Sequence, residues 1–265
     1  MIYLIVLLII SFLAYKLIDK HTHDIEIHRE EIYHGSIDKE IKILHLSDLH
    51  FNFDKKYQEK LLEIVNNLEY DLILFTGDYI NKKQYMVNLN QFLNDLDKKS
   101  NNKYAVYGNN DHKYNLDELG NVFESNGIEL INNENINLII NNQSINLIGV
   151  DSPDIGKENY NKAIEGIDLK NSYNILLSHT YHIIEKEELE KIDLLLVGDT
   201  HGGQINLPII TDLIKNRFAL KYISGKYILN HLIMIVNRGI GYNIIPFRIN
   251  CRPELVQITI NNKEW

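Results

Sequence analysis

The chain has 265 residues, of which 45% are hydrophobic, so it is long enough to bury the core of one large α/β domain. Its net charge of −9 at pH 7 argues against a nucleic-acid-binding protein, because phosphate backbones are bound by an excess of Lys and Arg. The single cysteine, Cys251, excludes an intrachain disulfide framework and a thiolate cluster, so any metal here would have oxygen and nitrogen ligands.

Residues 1–20 are predicted to form an N-terminal membrane anchor. Their apolar run reaches Ile18 and has neither a basic start nor a small-residue cleavage site, which is typical of an anchor that is retained. A bilayer span needs about 17–25 residues, so this one would be a single pass at the short end of that range. Lys16 and Lys20 favour a cytoplasmic main domain, but the side of the cell membrane is left open. The alternative is a helix packed on the globular domain.

Residues 21–40 are predicted to form a polar tether and a first strand, in which Ile25, Ile27 and Ile32 alternate with polar residues. The remainder, residues 41–265, is predicted to be one α/β domain, because short apolar runs alternate with amphipathic segments. Its predicted strands are 41–46, 72–76, 103–107, 128–131, 136–140, 144–150, 174–178, 192–197, 226–236 and 254–260. Its predicted helices lie over 55–69, 84–98, 115–125 and 181–190. The late strands predict a second mixed sheet packed on the first.

Metal-ligand side chains follow five of these strands. Asp48 and His50 lie two residues apart, so in an extended segment both point to one side and can reach a single ion. The other strand ends carry Gly77-Asp78, Gly108-Asn109-Asn110-Asp111-His112, Ser178-His179 and Gly198-Asp199-Thr200-His201-Gly202-Gly203-Gln204. Each position alone fits an ordinary role as a helix cap or a turn residue. Together they predict a metal site at the carboxyl ends of the strands.

This ordered set of motifs resembles the calcineurin-like metallophosphoesterases, whose pattern is DxH, GD, GNH(D/E), H and GHxH. Most of the chain after residue 20 is covered by the resemblance. A bacterial, often membrane-associated branch is similar in its later motifs, which here are Gly202-Gly203-Gln204, Asn237-Arg238-Gly239, Pro246-Phe247-Arg248 and Arg252-Pro253-Glu254. The resemblance implies a two-sheet α/β sandwich flanked by helices, preceded here by the apolar N-terminal helix.

The resemblance also implies two divalent metal ions and a phosphorylated substrate. The implied ligands are Asp48, His50 and His201 for one ion, Asn109, His179 and Asp199 for the other, and Asp78 as the bridge. A hydroxide shared by the ions would attack phosphorus in a phosphoester or phosphoanhydride, since the ions lower the pKa of water toward about 7. Some relatives in this branch act on lipid-linked substrates, so a phosphorylated small molecule or a lipid-linked one is expected.

Two positions depart from the family pattern. Asn110 stands where the family has a His that protonates the leaving group or steadies the transition state, a contribution worth about 10²–10⁴-fold. His112 is a candidate substitute, and the alternative is an ordinary surface His. Asp199 replaces the first His of the GHxH motif, and its harder oxygen favours Mn²⁺, Mg²⁺ or Fe over Zn²⁺, with Mn²⁺ preferred.

Three further features are assigned from the sequence. Arg238 is a candidate phosphate clamp, because a guanidinium makes bidentate contacts with phosphate oxygens. The segment Ile205–Tyr222 is either a lid that lies on the membrane surface or an ordinary helix on the sheet. His45 is predicted to be a core residue, since it does not share the alternation of the site.

The leading hypothesis is a membrane-tethered, dinuclear metal-dependent phosphoesterase of the phosphodiesterase or pyrophosphatase type. A catalytically weakened domain that senses a metal or a phosphorylated ligand is the first alternative, and Asn110 motivates it. A nuclease is the second, against which the acidic charge balance and the anchor both argue. The oligomeric state is left open by the sequence.

Overall fold

The computed structural model describes residues 2–51, 55–96, 102–207, 221–243 and 245–262. Its helices are α1 (Ile2–His23), α2 (Lys55–Asn67), α3 (Met86–Asp95), α4 (Leu116–Ser125), α5 (Tyr160–Ala163) and α6 (Ile183–Lys186). Its strands are β1 (Glu26–Tyr33), β2 (Ile41–Leu46), β3 (Leu72–Thr76), β4 (Lys103–Val106), β5 (Glu129–Leu130), β6 (Glu134–Ile140), β7 (Gln143–Gly149), β8 (Tyr173–Leu177), β9 (Leu194–Val197), β10 (Gly225–Leu229), β11 (Leu232–Val236) and β12 (Glu254–Asn261).

The strands form two mixed sheets of six strands each, which confirms the predicted two-sheet α/β architecture. The first sheet has the order β1-β12-β2-β3-β4-β5, and the second has the order β10-β11-β9-β8-β7-β6. Strands β2, β3 and β4 are parallel neighbours in the first sheet, and β8 and β9 are parallel neighbours in the second. The predicted ligands therefore follow parallel strands in both sheets: β2, β3 and β4 in the first sheet, and β8 and β9 in the second.

The main core lies between the two sheets. Buried side chains from both sheets share it, among them Ile43 and Leu74 from the first sheet and Leu147 and Leu177 from the second. Helices α2, α3 and α4 cover the other face of the first sheet. Strand β3, Leu72–Thr76, is buried at every position because both of its faces are covered. Its sequence therefore shows a nearly continuous apolar run and no alternation of apolar and polar residues.

The N-terminal helix is longer than predicted, and its carboxyl end is attached to the domain. It continues through His23, and the side chains of His21 and Thr22 are buried. Thr22 Oγ1 accepts a hydrogen bond from the backbone N–H of Arg248 at 3.0 Å. Large apolar side chains over residues 3–17 are exposed. Among the described residues, no helix combines the length and the apolar character required of a membrane-crossing segment.

Strand β12 lies in the first sheet, whereas the tail of the chain was predicted to build the second. It pairs in parallel with β1 and antiparallel with β2. Residues 21–40, predicted as a tether and a first strand, thus contain an edge strand of the first sheet. This pairing joins residues near the two ends of the chain, and no local sequence pattern specifies such a partner.

Two predicted elements were wrong in extent. The helix predicted over 181–190 is confined to Ile183–Lys186, because the backbone becomes extended at Glu187 with φ −130° and ψ 146°. The strand predicted over 226–236 is a hairpin of β10 and β11, and Asn230 at its turn has a φ of 57° that Asn tolerates. The proposed lid over Ile205–Tyr222 falls mostly on residues 208–220, which lie outside the described residues.

Candidate metal centre

The candidate metal centre lies where the carboxyl ends of the two sheets meet. Hydrogen bonds interlace the loops that follow the strands: the Asp48 N–H donates to Gly77 O at 3.0 Å, and the Gly198 N–H donates to His179 O at 2.9 Å. A further bond runs between the two sheets, from the Asp199 N–H to Asp48 Oδ2 at 3.0 Å. The strand ends that the sequence singled out are therefore brought to one place.

Five of the predicted ligands have a left-handed backbone conformation. The φ angles are 50° at Asp48, 41° at His50, 59° at Asp78, 68° at Asp199 and 51° at His201. A non-glycine residue in this region costs roughly 1–2 kcal/mol, so such residues persist only where the surrounding structure fixes them. Their concentration at one set of loops is typical of a functional site, where side chains are aimed at the expense of stability.

One candidate ligand group consists of Asp48, His50 and His201, all of them buried, with one ligand atom from each lying within 4.8 Å of the others. His50 Nε2 lies 3.1 Å from His201 Nε2, and Asp48 Oδ1 lies 3.4 Å from His201 Nε2. Asn81 Oδ1 lies 2.6 Å from His50 Nδ1, which leaves Nε2 facing the site. The sequence predicted this same trio as the ligands of one ion.

The second candidate group consists of Asp48, Asp78 and His179, again with ligand atoms within 4.8 Å of one another. His179 Nε2 lies 3.4 Å from Asp78 Oδ1 and 3.5 Å from Asp199 Oδ1. The other oxygen of Asp78, Oδ2, lies 3.4 Å from His50 Nε2 in the first group. Asp78 therefore directs one carboxylate oxygen toward each group, as a bridging ligand does.

Three predicted ligand atoms are buried without a hydrogen-bond partner among the described residues: Asp48 Oδ1, Asn109 Oδ1 and His179 Nε2. A buried polar atom left unpaired costs about 1–3 kcal/mol, so a cluster of such atoms is unfavourable unless a ligand completes it. All three are lone-pair donors of the types that divalent cations bind. The residues at the site thus fit a pair of divalent metal ions.

Burial and close charges set the protonation of these ligands. Burial, together with the charge of Asp78, raises the pKa of Asp48 to about 7. Burial lowers the pKa values of His50 and His201, which favours the neutral imidazoles that metals bind. Burial acts the same way on His179, but the carboxylates of Asp78, Asp199 and Asp48 together outweigh it and hold the pKa of His179 well above its ordinary value. A divalent cation would relieve the repulsion between the carboxylates.

The family model for the calcineurin-like phosphoesterases matches residues 41–203, more than half of the chain and all of its predicted metal ligands. The chain belongs to this family. The calcineurin-like phosphoesterase fold accounts for the two sheets and for ligands at the ends of their strands.

Individual relatives agree with this assignment. The metallophosphoesterase YkoQ of Bacillus subtilis is 30% identical over 224 residues, which cover 82% of each chain. The phosphodiesterase YaeI of Escherichia coli is 26% identical over 226 residues, 83% of this chain and 82% of the relative. The 5'-nucleotidase precursor of Thermus thermophilus superposes with a TM-score of 0.52 at 13% identity over 77% of this chain. The phosphoesterase spans about half the length of that solved structure, 49%, and the likeness concerns the fold alone.

Asp111 is a residue of the phosphoesterase site that the sequence analysis did not assign a role. Its buried carboxylate accepts hydrogen bonds from the backbone N–H groups of Gly108 and Asp78 at 2.8 Å and of Tyr79 at 2.9 Å. It therefore fixes the loop after β3 to the loop after β4. The acidic position of the GNH(D/E) motif is the signal that marks it in the sequence.

Asn110, which replaces the family His, lies directly on the bridging carboxylate. Its backbone N–H donates to Asp78 Oδ1 at 2.9 Å, and its side-chain amide donates to Asp78 Oδ2. Its amide oxygen accepts a hydrogen bond from the Lys113 ammonium. Asn110 thus positions Asp78, and a neutral amide carries no proton for a leaving group.

His112 and Arg238 are each engaged by carboxylates. His112 Nε2 lies 2.7 Å from Asp151 Oδ1, and the pair is largely buried. The Arg238 guanidinium bonds to Glu254 Oε2 through Nε at 2.6 Å and to Glu26 Oε2 through Nη2 at 2.9 Å. Neither residue belongs to the two candidate metal groups found among the described residues. The predicted roles of leaving-group acid and phosphate clamp remain predictions.

Arg248 stabilises the candidate metal centre through hydrogen bonds to the backbone around it. In the sequence it was named only as part of the motif Pro246-Phe247-Arg248. It is fully buried, and its guanidinium donates to the backbone oxygens of Arg238 at 2.8 Å, Gly239 at 3.2 Å and His201 at 3.3 Å. Its Nη2 also lies 3.4 Å from His201 Nδ1. It ties the loop after β11 to the ligand His201. No spacing rule in the sequence indicates this role.

His45 is a core residue, as predicted. It is fully buried, and its Nε2 lies 2.8 Å from Thr76 Oγ1 on the neighbouring strand. Desolvation lowers its pKa to about 3, so the imidazole is neutral in the folded chain.

Proposed function

We propose that this protein is a dinuclear metal-dependent hydrolase of phosphoester or phosphoanhydride bonds. The observation that carries the proposal is the placement of Asp78, whose two carboxylate oxygens each lie 3.4 Å from a histidine Nε2 in a different ligand group. A shared carboxylate lets two dications lie about 3.5–4 Å apart, since its charge offsets part of their repulsion. Two ions at that separation match the geometry of in-line displacement at phosphorus.

The chain's own residues would divide the work as follows. Asp48, His50 and His201 would hold one ion, and His179 with Asp199 and Asn109 would hold the other. When bound, such ions lower the pKa of water and polarise phosphoryl oxygens. The chain contributes the fixed positions of the donors, through Asp111 under the loops and Asn110 on the bridge, so that little reorganisation is needed.

Manganese is the proposed metal, with Fe, Mg²⁺ and Zn²⁺ as alternatives. Asp199 gives the second ion an oxygen donor where the family pattern has an imidazole, and oxygen donors suit Mn²⁺ and Mg²⁺ better than Zn²⁺. Elemental analysis of protein purified without added metal, followed by reconstitution of the stripped protein with each ion, identifies the metal. A stoichiometry of one zinc and no second ion would contradict this proposal.

Hydrolysis of bis(4-nitrophenyl) phosphate with added Mn²⁺ tests the activity. We expect turnover by the wild type and a loss of roughly 10³-fold or more in Asp78→Ala, because the bridging ligand is removed. Asp38→Ala, which removes an exposed aspartate elsewhere, is the matched control and keeps wild-type activity. Absence of turnover by the metal-loaded wild type on diesters, monoesters and diphosphates would reject the enzyme.

A metal-dependent or phospho-ligand sensor is the second candidate, and the engagement of Asn110 favours it. Asn110, which takes the place of the family His, forms hydrogen bonds with Asp78 and Lys113, and its amide cannot act as a general acid. The sensor predicts phosphate binding by the manganese-loaded protein without turnover of any ester. Isothermal titration with inorganic phosphate, run beside the hydrolysis assay, separates the two candidates.

We also propose that the substrate is presented at a membrane. Large apolar side chains over residues 3–17 are exposed on α1, and covering them with lipid would be favourable by about 25 cal/mol per Å². The full chain should sediment with phosphatidylglycerol vesicles, and a chain lacking residues 1–17 should not. A screen of lipid-linked diphosphates against simple phosphodiesters then tests the substrate class. Equal sedimentation of both chains would contradict the membrane role.

A further inference from the structure

Asn110 connects Asp78, the proposed bridging ligand, to Lys113 through hydrogen bonds. Its backbone and side-chain N–H groups both donate to the carboxylate of Asp78. Its amide oxygen accepts a hydrogen bond from the ammonium of Lys113. Through Asn110, which occupies the position of the family's leaving-group histidine, Lys113 is linked to the bridging carboxylate by two successive hydrogen bonds.

The backbone beneath Lys113 is firmly fixed. Residues 111–113 form a single 3₁₀ turn, and the Lys113 N–H donates to Asn110 O at 3.0 Å. The turn begins at Asp111, whose buried carboxylate accepts three backbone N–H bonds from the loops of the site. Lys113 itself is exposed. The backbone that carries this exposed cation is therefore anchored to the loops of the candidate metal centre.

The site is rich in negative charge, which a nearby cation would offset. Asp48, Asp78 and Asp199 are three carboxylates around the two ligand groups, and a phosphate ester adds further negative charge. Compared with the family pattern, Asp199 adds a negative charge and Asn110 removes a group able to carry a positive one. Among the described residues the Lys113 ammonium pairs with no carboxylate, whereas Lys162 pairs with Glu134.

We infer that Lys113 is a catalytic residue whose ammonium contacts the departing oxygen of the phosphorylated substrate. In the proposed hydrolysis the oxygen of water forms a bond to phosphorus and loses its proton to solvent. The bond from phosphorus to the leaving oxygen breaks, and that oxygen keeps the electron pair. The Lys113 ammonium stabilises this developing charge, and solvent then protonates the free leaving group. The inference rests on the proposed function and names the residue that takes the place of the missing histidine.

Dependence on the leaving group tests the inference. The substrates are two aryl methyl phosphodiesters, with 4-nitrophenol or unsubstituted phenol as the leaving group, assayed with Mn²⁺. We expect Lys113→Ala to lower kcat/KM roughly threefold for the 4-nitrophenyl ester and roughly 30-fold for the phenyl ester, because the poorer leaving group develops more charge. Lys113→Arg should recover much of the loss, since a cation is restored at the same place.

Lys162→Ala is the matched control, since it removes an exposed, ion-paired lysine on α5 and should leave both rates unchanged. Metal content and the urea midpoint are measured for every variant, and the expected result is no change. Equal losses on the two esters, or no loss, in Lys113→Ala would overturn the inference while leaving the phosphoesterase standing. A manganese-loaded wild type that cleaves neither ester would remove the proposed function and this inference together.

Discussion

The ligand side chains of the candidate metal centre are held through the atoms that would not bind metal. Asp48 Oδ2 accepts hydrogen bonds from Ser47 Oγ at 2.6 Å and from the Asp199 N–H at 3.0 Å. His179 Nδ1 lies 2.6 Å from Thr76 O. Contacts of this kind fix the ring or carboxylate orientation and leave Asp48 Oδ1 and His179 Nε2 free for a cation. At the scale of single residues, the orientation of each ligand is therefore set by contacts within the chain.

Gly198 shows how little space this organisation leaves. A Cβ atom at position 198 would lie 1.9 Å from Ser47 Oγ and 2.3 Å from Asp48 Oδ2. We expect Gly198→Ala to displace Asp48, to lower the free energy of unfolding by about 2 kcal/mol, and to lose metal. Elemental analysis and urea unfolding measure both effects. Gly35→Ala, where a Cβ meets nothing within 4 Å, is the control, and full metal occupancy in Gly198→Ala would contradict the prediction.

His45 should make the stability depend on pH. Desolvation lowers its pKa from 6.5 to about 3, so below pH 6.5 the unfolded chain binds a proton that the folded chain refuses. The stability contributed by neutral His45 is complete above pH 6.5 and is lost as the pH falls toward 3. Between pH 7.5 and pH 5 the wild type should lose about 2 kcal/mol more than His45→Gln. Urea unfolding in the presence of a chelator measures this, and parallel losses would show that His45 is not responsible.

At the scale of elements, β12 links the beginning of the chain to the first sheet. It lies between β1 and β2, and Glu26 on β1 pairs with Arg238, which is also bound by Glu254 on β12. Nearby, the Asn250 N–H donates to His21 Nδ1 at 3.2 Å, next to the Thr22 contact of Arg248. The end of α1 and strand β1 are therefore part of the support of the site.

Two truncations separate the parts of this N-terminal region. Removing residues 1–17 deletes only the exposed part of α1, so we expect cooperative unfolding and full metal occupancy. Removing residues 1–33 also deletes β1, which leaves the edge of β12 unpaired and Arg238 without Glu26, and aggregation or a loss of several kcal/mol should follow. Urea unfolding and size-exclusion chromatography measure the outcome. A fully stable 34–265 chain would show that β1 is dispensable.

At the scale of the whole molecule, the candidate metal centre joins the two sheets. Asp48, His50 and Asp78 follow strands of the first sheet, whereas His179 and His201 follow strands of the second. An ion held by both sets stabilises the packing of one sheet on the other, by about 4 kcal/mol at a free-ion concentration 1,000 times the Kd. Saturating Mn²⁺ should therefore raise the urea midpoint of the metal-free wild type but not that of Asp78→Ala. An unchanged midpoint in the wild type would argue against ions shared between the sheets.

The net charge of −9 also belongs to the whole molecule. It should keep the protein from binding DNA, since phosphate backbones require a basic surface. We expect no cleavage of single- or double-stranded DNA and no retardation in a gel at low salt, where electrostatic binding is strongest. Cleavage that disappears in Asp78→Ala would instead make the protein a nuclease.

The sequence by itself determined the strands that carry chemistry and the side chains at their ends. Short apolar runs such as Leu72–Thr76 predict buried strands, and the ligand types that follow them are legible because each motif is contiguous. Their order along the chain then indicated the family, the two-sheet fold and the trio Asp48, His50 and His201. These features depend on local periodicity and on residue chemistry, which one sequence contains in full.

The tertiary structure decided which distant groups face each other. Arg238 is a candidate phosphate clamp in the sequence, and only the fold shows that it lies between Glu254 and Glu26, which is 212 residues away. Likewise, only the folded chain places buried Arg248 against His201, which is 47 residues away. A side chain's partners across a sheet depend on strand order and register, which arise from packing the entire core and leave no mark on local spacing.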